Sequence, residues 1–281
     1  MERSELPSFD LVVATVYRVC QLGRLLDSLD AQTHGAFRVL LVDQNEDDRL
    51  DSVLGSHQAL EVVRLRAPLG LSRARNAALG QIRAELVAFP DDDCVLAPDL
   101  LERVARRFAE QPALDGLTGR AVDDQGRSAP SWERDARHLT RENLWNRAIS
   151  FTIFLRRSVV DRVGAFDERL GLGAEGAWSS GEETDYLVRA LDGGAHIEYD
   201  PSFVVVHQEK VLSPAALRSI GAREGASMGY LLRKHRYPAR TVGRMLVRPL
   251  GGALLAVARR DPARARFHLS TLRGRMLGYR S

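Results

Sequence analysis

The sequence predicts an α/β domain built on a mostly parallel sheet flanked by helices, followed by a basic helical extension. Three observations carry this reading. Short apolar runs alternate with helical periodicity through the first half of the chain. Two of those runs end on carboxylates. The sign of the charge reverses near residue 210.

The elements follow in order. Leu11–Val13 is a short apolar run, and Leu22, Leu25, Leu26 and Leu29 then recur at helical spacing. Phe37–Val42 is rich in β-formers and ends on Asp43, and Val62, Val63 and Leu65 mark a third strand. Ser72–Ile82 reads as a helix with Ala74, Ala77 and Ala78 on its small face. Leu86–Phe89 is a strand that runs into Pro90 and three acidic residues. Pro98 suits the first position of a helix that carries Leu100, Leu101, Val104 and Phe108 on one face. Strand–helix alternation of this kind implies a parallel sheet with helices on its faces. Residues 122–147 are polar and read as a long loop, the usual form of a binding element or lid. Ser150–Leu155 and Phe203–Val206 are further strands, and Glu182–Leu191 is a helix stopped by Gly193 and Gly194.

The 281 residues include 40 Lys+Arg, 37 Asp+Glu, two cysteines and 44% hydrophobic residues. That excludes a mainly disordered, collagen-like or disulfide-stapled chain. The net charge of +3 conceals an asymmetry: residues 211–281 balance at +13 and residues 1–210 at −10. The expected division is therefore an α/β domain over 1–210 and a basic helical extension over 211–281. Cys20 and Cys94 form no metal or redox motif, and MERSELPSFD lacks the apolar core of a signal peptide. Leu250–Ala258 is apolar but shorter than the about 20 residues of a membrane span. The expectation is a cytoplasmic chain, with peripheral contact to the inner membrane face left open.

In open α/β sheets ligands bind beyond the carboxyl ends of the strands, where Asp43 and Asp91-Asp92-Asp93 fall. Three adjacent carboxylates repel one another unless a cation sits among them, and hard cations such as Mg²⁺ or Mn²⁺ share their shell between carboxylates and phosphates. The alternative is a solvated turn with a capping Asp. Thr15, Tyr17 and Arg18 follow the first strand, where a hydroxyl and a ring could bond and stack on a base, although Tyr17 equally suits packing. Arg73, Arg75 and Asn76 open a helix, a place suited to anions.

Six segments occur in the order and spacing of one family. VVATVYR at 12–18, LLVDQNEDD at 40–48, GLSRARNAAL at 70–79, AFPDDDC at 88–94, VGAFDERLGLG at 163–173 and SGEETDYLVRAL at 180–191 resemble family 2 glycosyltransferases. These are inverting nucleotide-sugar enzymes with a GT-A, Rossmann-like fold. The resemblance runs from about Leu11 to His207. It implies a nucleotide-sugar site at Thr15, Tyr17, Arg18, Asp43, Arg75, Asn76, Asp91 and Asp92. It further implies Mg²⁺ or Mn²⁺ held by Asp91 and Asp93, with His207 as a third ligand or a structural residue. Glu183 stands where the family base is usually Asp, and Asp185 is its rival. Gln44 stands where a second Asp is frequent, and Ala14 where Pro is frequent.

The implied reaction moves a sugar from a UDP-, dTDP- or GDP-linked donor to a glycan or lipid-linked acceptor, as in cell-surface polysaccharide synthesis. Trp178 lies in a glycine-bearing stretch that matches G-x-G-x-x-G by letter but follows no strand, so it reads as an acceptor loop rather than a dinucleotide site. Trp145 and Asn146 are further acceptor candidates, with packing the alternative for Trp145. The basic tail interleaves Arg with Leu, Met and Val, which suits an anionic membrane surface or helices packed with Arg outward. Nucleic acid is not expected, because no recognised motif accompanies the charge. A non-catalytic nucleotide-sugar binder and a sugar nucleotidyltransferase are the competing functions.

Overall fold

A computed structural model describes residues 6–129, 131–176, 178–207 and 213–281. The expected boundary near 210 lies outside the described residues. Contacts divide the chain into two units. One comprises 1–69, 73–166 and 186–209, and the other 70–72, 167–185 and 210–281.

The first unit is organised by nine described strands: β1 (Phe9–Thr15), β2 (Phe37–Asp43), β3 (Val62–Arg66), β4 (Leu86–Ala88), β5 (Cys94–Leu96), β6 (Gly116–Val122), β7 (Arg137–His138), β8 (Ile153–Arg156) and β9 (Ile197–His207). Their order is β3-β2-β1-β4-β8-β6-β9-β5, with β7 on β9. The stretch β3-β2-β1-β4 is parallel throughout, and antiparallel pairs enter with β5, β7 and β8. Strand order reverses between β1 and β4, which opens a crevice at their carboxyl ends. The β1–β2 register sets Thr15 opposite Asp43 at that end.

Helix α1 (Val19–Asp30) buries Leu22, Leu25, Leu26 and Leu29, as the periodicity requires. The short α2 (Asp51–Gly55) follows β2, and α3 (Leu71–Leu79) stops ahead of Gly80. Ala74 and Ala78 of α3 are buried, whereas Ala77 is exposed. Helix α4 (Leu100–Glu110) buries Leu100, Leu101, Val104 and Phe108 in one cluster with the α1 leucines and with Leu11, Val13, Val39 and Leu41 of the sheet. Val12, Leu40 and Val42 alternate with these and are buried on the opposite face. Pro98 precedes α4 instead of occupying its first turn. Asp99 takes the N-cap position, and the Pro98 carbonyl accepts from the Thr33 amide at 2.8 Å.

The second half of the sheet departs from the sequence reading. Ser150–Thr152 is a 3₁₀ turn, so β8 starts only at Ile153. β6 contains two glycines, which read as turn residues in sequence, and the sheet crowds both. A β-carbon at Gly116 would stand 2.7 Å from the Leu155 side chain, and one at Gly119 would collide with the Phe203 carbonyl, where the β6–β9 register shifts. β9 begins six residues earlier than Phe203 and runs through Asp200-Pro201-Ser202, a triplet that reads as a turn. α5 (Arg157–Val163) follows β8, and α6 (Glu182–Asp192) starts where the sequence places it.

The second unit contains α7 (Pro214–Lys234), α8 (Ala239–Ala258) and α9 (Pro262–Arg280). α7 and α9 each open on a side-chain cap, Ser213 to the Ala216 amide and Asp261 to the Arg264 amide, with Pro at the first turn. These two helices cross backbone to backbone. Gly221, Gly225 and Gly229 of α7 meet Thr271, Arg275 and Tyr279 of α9, and Gly274 and Gly278 meet Ala222 and Ala226 in return. α8 extends the apolar stretch noted in the sequence back to Ala239. It is thereby long and apolar enough, at a mean hydropathy of 1.3, to cross a membrane by length and composition. It buries Val242, Met245, Pro249, Ala253 and Ala256 and exposes Val247, Leu250, Leu254 and Val257.

Candidate functional site

In the first unit the ends of β1 and β4 assemble an acidic cluster. Thr15 Oγ1 donates to Asp92 Oδ2 at 2.7 Å. Arg18 reaches across with one nitrogen, 2.8 Å from Asp92 Oδ1 and 2.7 Å from Asp93 Oδ2. Burial pushes the Asp92 carboxyl up, against the Thr15 hydroxyl and the Arg18 charge. Burial also works against the Arg18 cation, but Asp92, Asp93 and Asp91 outweigh it and raise its pKa. The cluster thus prefers positive charge nearby, as three adjacent carboxylates should.

Asp91 Oδ1 stands 3.4 Å from Arg75 and 3.3 Å from the Ser150 hydroxyl. Arg75 is 2% exposed, with the rings of Phe89 and Phe166 at 5.9 and 5.5 Å. Asn76 clamps the Phe166 backbone in both directions, accepting from its amide at 2.7 Å and donating to its carbonyl at 3.0 Å. In the described contacts Asn76 therefore shapes the wall behind Arg75.

His207 joins the cluster through the β5–β9 ladder, which pairs it with Cys94, next in sequence to Asp93. Its Nε2 lies 3.1 Å from Asp93 Oδ1, and Phe151 stacks on its ring at 4.8 Å. Ligand atoms of Asp91, Asp93 and His207 all lie within 4.8 Å of one another. Two carboxylates and one imidazole form a donor set that suits Mn²⁺, and Mg²⁺ through its oxygen members.

Asp43 is fully buried. Asn45 donates two hydrogen bonds to its Oδ1, Arg64 donates two to its Oδ2, and Arg66 stands 3.2 Å away. Burial would raise this carboxyl, but Asn45, Arg64 and Arg66 together hold it below its ordinary value. Asn45 also accepts from the Tyr17 amide at 2.8 Å, which pins Tyr17, an exposed residue, in the left-handed region at φ 60°. Arg49 covers the Tyr17 ring at 4.8 Å. Asn45, Arg49, Arg64, Arg66 and Ser150 were not read from the sequence. The alternation of Arg64 and Arg66 on β3, beside the strand that ends in Asp43, was the available signal.

The polar stretch before β8 holds Trp145, half-buried, and Asn146, which donates to Ser131 and Glu133 at 3.1 and 3.0 Å. Asn146 fastens its own loop in these contacts.

In the second unit, the first turn of α6 carries Glu182, Glu183 and Asp185. Asp185 is fully buried, with Lys234 Nζ at 2.5 Å and His235 Nε2 at 2.8 Å from the same oxygen. Lys234 also bonds Asp167 at 2.7 Å, and Arg169 grips Asp167 with both a side-chain pair and its amide. Glu183 is half-buried. Trp178 stacks on Tyr230 of α7 at 4.8 Å, and the Gly171 amide donates to its carbonyl.

Comparison with known proteins places this geometry. A pre-mycofactocin glycosyltransferase of Mycobacterium tuberculosis is 28% identical over 251 residues, covering 84% of this chain and 48% of that protein. Glycosyltransferase AglE of Haloferax volcanii is 23% identical over 216 residues, covering 73% of this chain and 68% of the relative. The chain thus spans about half the length of the first of these relatives. Among solved structures, S. aureus TarS in complex with UDP-GlcNAc matches at a TM-score of 0.64 and 18% identity, covering 95% of this chain and 92% of that one. A mannosyltransferase of Pyrobaculum calidifontis, in complex with GDP-Man and Mn²⁺, matches at 0.64 and 15% identity, covering 97% and 88%. The expected GT-A fold is the fold these structures share with it. The model of "Glycosyl transferase family 2" matches residues 10–164, and the chain belongs to that family.

Proposed function

We propose that the protein is a metal-dependent, inverting glycosyltransferase that moves a sugar from a nucleoside-diphosphate donor to an acceptor hydroxyl in cell-surface glycan or polysaccharide synthesis. The observation that carries this reading is the convergence of Asp91, Asp93 and His207, with Thr15 and Arg18, at the carboxyl ends of β1 and β4. Asp91, Asp93 and His207 would hold Mg²⁺ or Mn²⁺, which when bound offsets charge on the departing diphosphate. Arg18 and Arg75 add fixed cations beside these carboxylates, and Tyr17 offers an exposed face to a base. Glu183 takes the proton from the attacking hydroxyl, and its place in the first turn of α6 favours the ionised form needed for that. The UDP-GlcNAc and GDP-Man held by the two structural neighbours support a donor of this class.

The test is a thermal-shift screen of UDP-, dTDP- and GDP-sugars with and without MnCl₂. A donor that binds the native state raises its melting temperature. A Mn²⁺-dependent rise with one nucleotide, followed by release of that nucleoside diphosphate and a glycosylated product, is the expected result. Diphosphate release without glycosylated product would leave a binding protein, and pyrophosphate formation from a nucleoside triphosphate would make it a nucleotidyltransferase.

The same reading places the protein peripherally on an anionic membrane. The exposed face of α8 carries Arg240, Arg244 and Arg248 together with Val247, Leu250, Leu254 and Val257, ahead of Arg259 and Arg260. A helix of that kind lies in a headgroup layer. Flotation with phosphatidylglycerol vesicles at low salt should recover the wild type, and Leu254→Glu should reduce that recovery severalfold. Equal recovery of both proteins would remove α8 from the membrane contact.

A further inference from the structure

We propose that His138, His196 and Glu198 form a second metal site, selective for Zn²⁺, which clasps β7 to β9. The site follows from strand register. His138 lies directly opposite Glu198 in the antiparallel β7–β9 ladder. His196 lies just ahead of β9, two residues before Glu198, and its Nε2 comes within 3.4 Å of Glu198 Oε1. The imidazoles of His138 and His196 stand with centroids 4.4 Å apart. One nitrogen from each and one Glu198 oxygen lie within 4.8 Å of one another.

Three features make this a ligand set and not a chance neighbourhood. His196 Nε2 is shielded from solvent and makes no hydrogen bond among the described residues, although Glu198 Oε1 is 3.4 Å away. Two atoms bound at about 2.0–2.1 Å to one tetrahedral ion stand about 3.3 Å apart, so this separation fits a shared ion better than a direct bond. Arg107 donates to the other carboxylate oxygen, Oε2, at 2.6 Å, which orients Oε1 toward His196 as an outer partner orients a metal ligand. His138 is exposed, which gives an ion a path of entry. Two imidazoles and one carboxylate select Zn²⁺ over Mg²⁺ or Ca²⁺, and three protein ligands leave the fourth position to water. The consequence is local. β7 is only two residues long, and a cross-link at His138 would fasten the polar segment that carries Trp145 and Asn146.

The experiment titrates ZnCl₂ into the full chain against a chromophoric chelator, with Co²⁺ absorption as a second readout. Asp93→Asn, which disables the first cluster, should retain one equivalent of Zn²⁺ and a Co²⁺ spectrum of tetrahedral intensity. In that background His138→Ala and Glu198→Gln should each weaken Zn²⁺ at least about tenfold. Both should also abolish the rise in melting temperature that Zn²⁺ gives the parent. His138 is exposed, so its replacement tests the site without threatening the fold. Unchanged Zn²⁺ affinity in the His138 and Glu198 variants, or no bound Zn²⁺ in the Asp93→Asn parent, would overturn the proposal.

Discussion

Lys234 Nζ stands 2.5 Å from Asp185 Oδ1, and His235 bonds the same buried oxygen at 2.8 Å. Asp185 is one of the two acidic candidates for the base on α6. Held between a lysine and a histidine, Asp185 anchors the start of the helix to the end of α7. Glu183 is the base in the proposed reaction. Glu183→Gln should therefore lower kcat on the order of 10²–10⁴-fold with an unchanged melting temperature. Asp185→Asn leaves the half-buried Lys234 ammonium beside a neutral amide and should cost about 3 kcal/mol of stability. Steady-state kinetics beside thermal unfolding of both variants checks the assignment. Loss of kcat by Asp185→Asn alone, at full stability, would reverse it.

The metal assignment makes a graded prediction. Asp93 serves both Arg18 and His207, whereas His207 touches the cluster through one nitrogen. Asp93→Asn should remove the Mn²⁺-dependent part of the donor-induced thermal shift, and His207→Ala should weaken Mn²⁺ by about tenfold while retaining it. A Mn²⁺ titration at fixed donor measures both. Equal behaviour of His207→Ala and wild type would leave His207 a packing partner of Phe151.

Asp167 offers a pH test in the second unit. Arg169, with help from Lys234, outweighs burial and holds this carboxyl well below the usual carboxylate range. A depressed folded pKa contributes stability that is fully present above the unfolded value of about 3.9 and is lost as pH falls through the folded one. Asp167→Asn should destabilise the protein by roughly 1–2 kcal/mol near neutral pH, after allowance for partial exposure. The difference from wild type should shrink only under strongly acidic conditions, below the unfolded value. Urea unfolding of both proteins across that range reads the sign directly.

The α7–α9 crossing predicts opposite outcomes for two glycines. A β-carbon at Gly225 would collide with the Thr271 carbonyl, a backbone atom that cannot swing aside. Gly225→Ala should cost about 1–3 kcal/mol by overpacking, more than the about 1 kcal/mol returned by helix propensity. Gly243 of α8 has nothing within 4 Å of such a carbon, so Gly243→Ala should stabilise by about 0.5–1 kcal/mol. Thermal unfolding distinguishes the two signs.

Much of this protein is written in local pattern. The α1 leucines, the strand ending on Asp43 and the acidic triplet after β4 are legible because each element signals itself within a few residues. The same holds for the charge reversal beyond residue 210. The family resemblance, spread over six segments, is also a property of the sequence alone. Tertiary structure decided what depends on partners distant along the chain. His207 reaches Asp93 only through the β5–β9 ladder, and Arg64 and Arg66 meet Asp43 only because β3 lies beside β2. β6 and the start of β9 escaped notice because their glycines and the Asp-Pro-Ser triplet look like turns in sequence. The Phe203 backbone makes Gly119 necessary within the sheet, and the Leu155 side chain crowds Gly116. Local propensity specified many of the elements, while long-range contact specified which charges face one another, as when Lys234 at the end of α7 meets Asp185 at the start of α6.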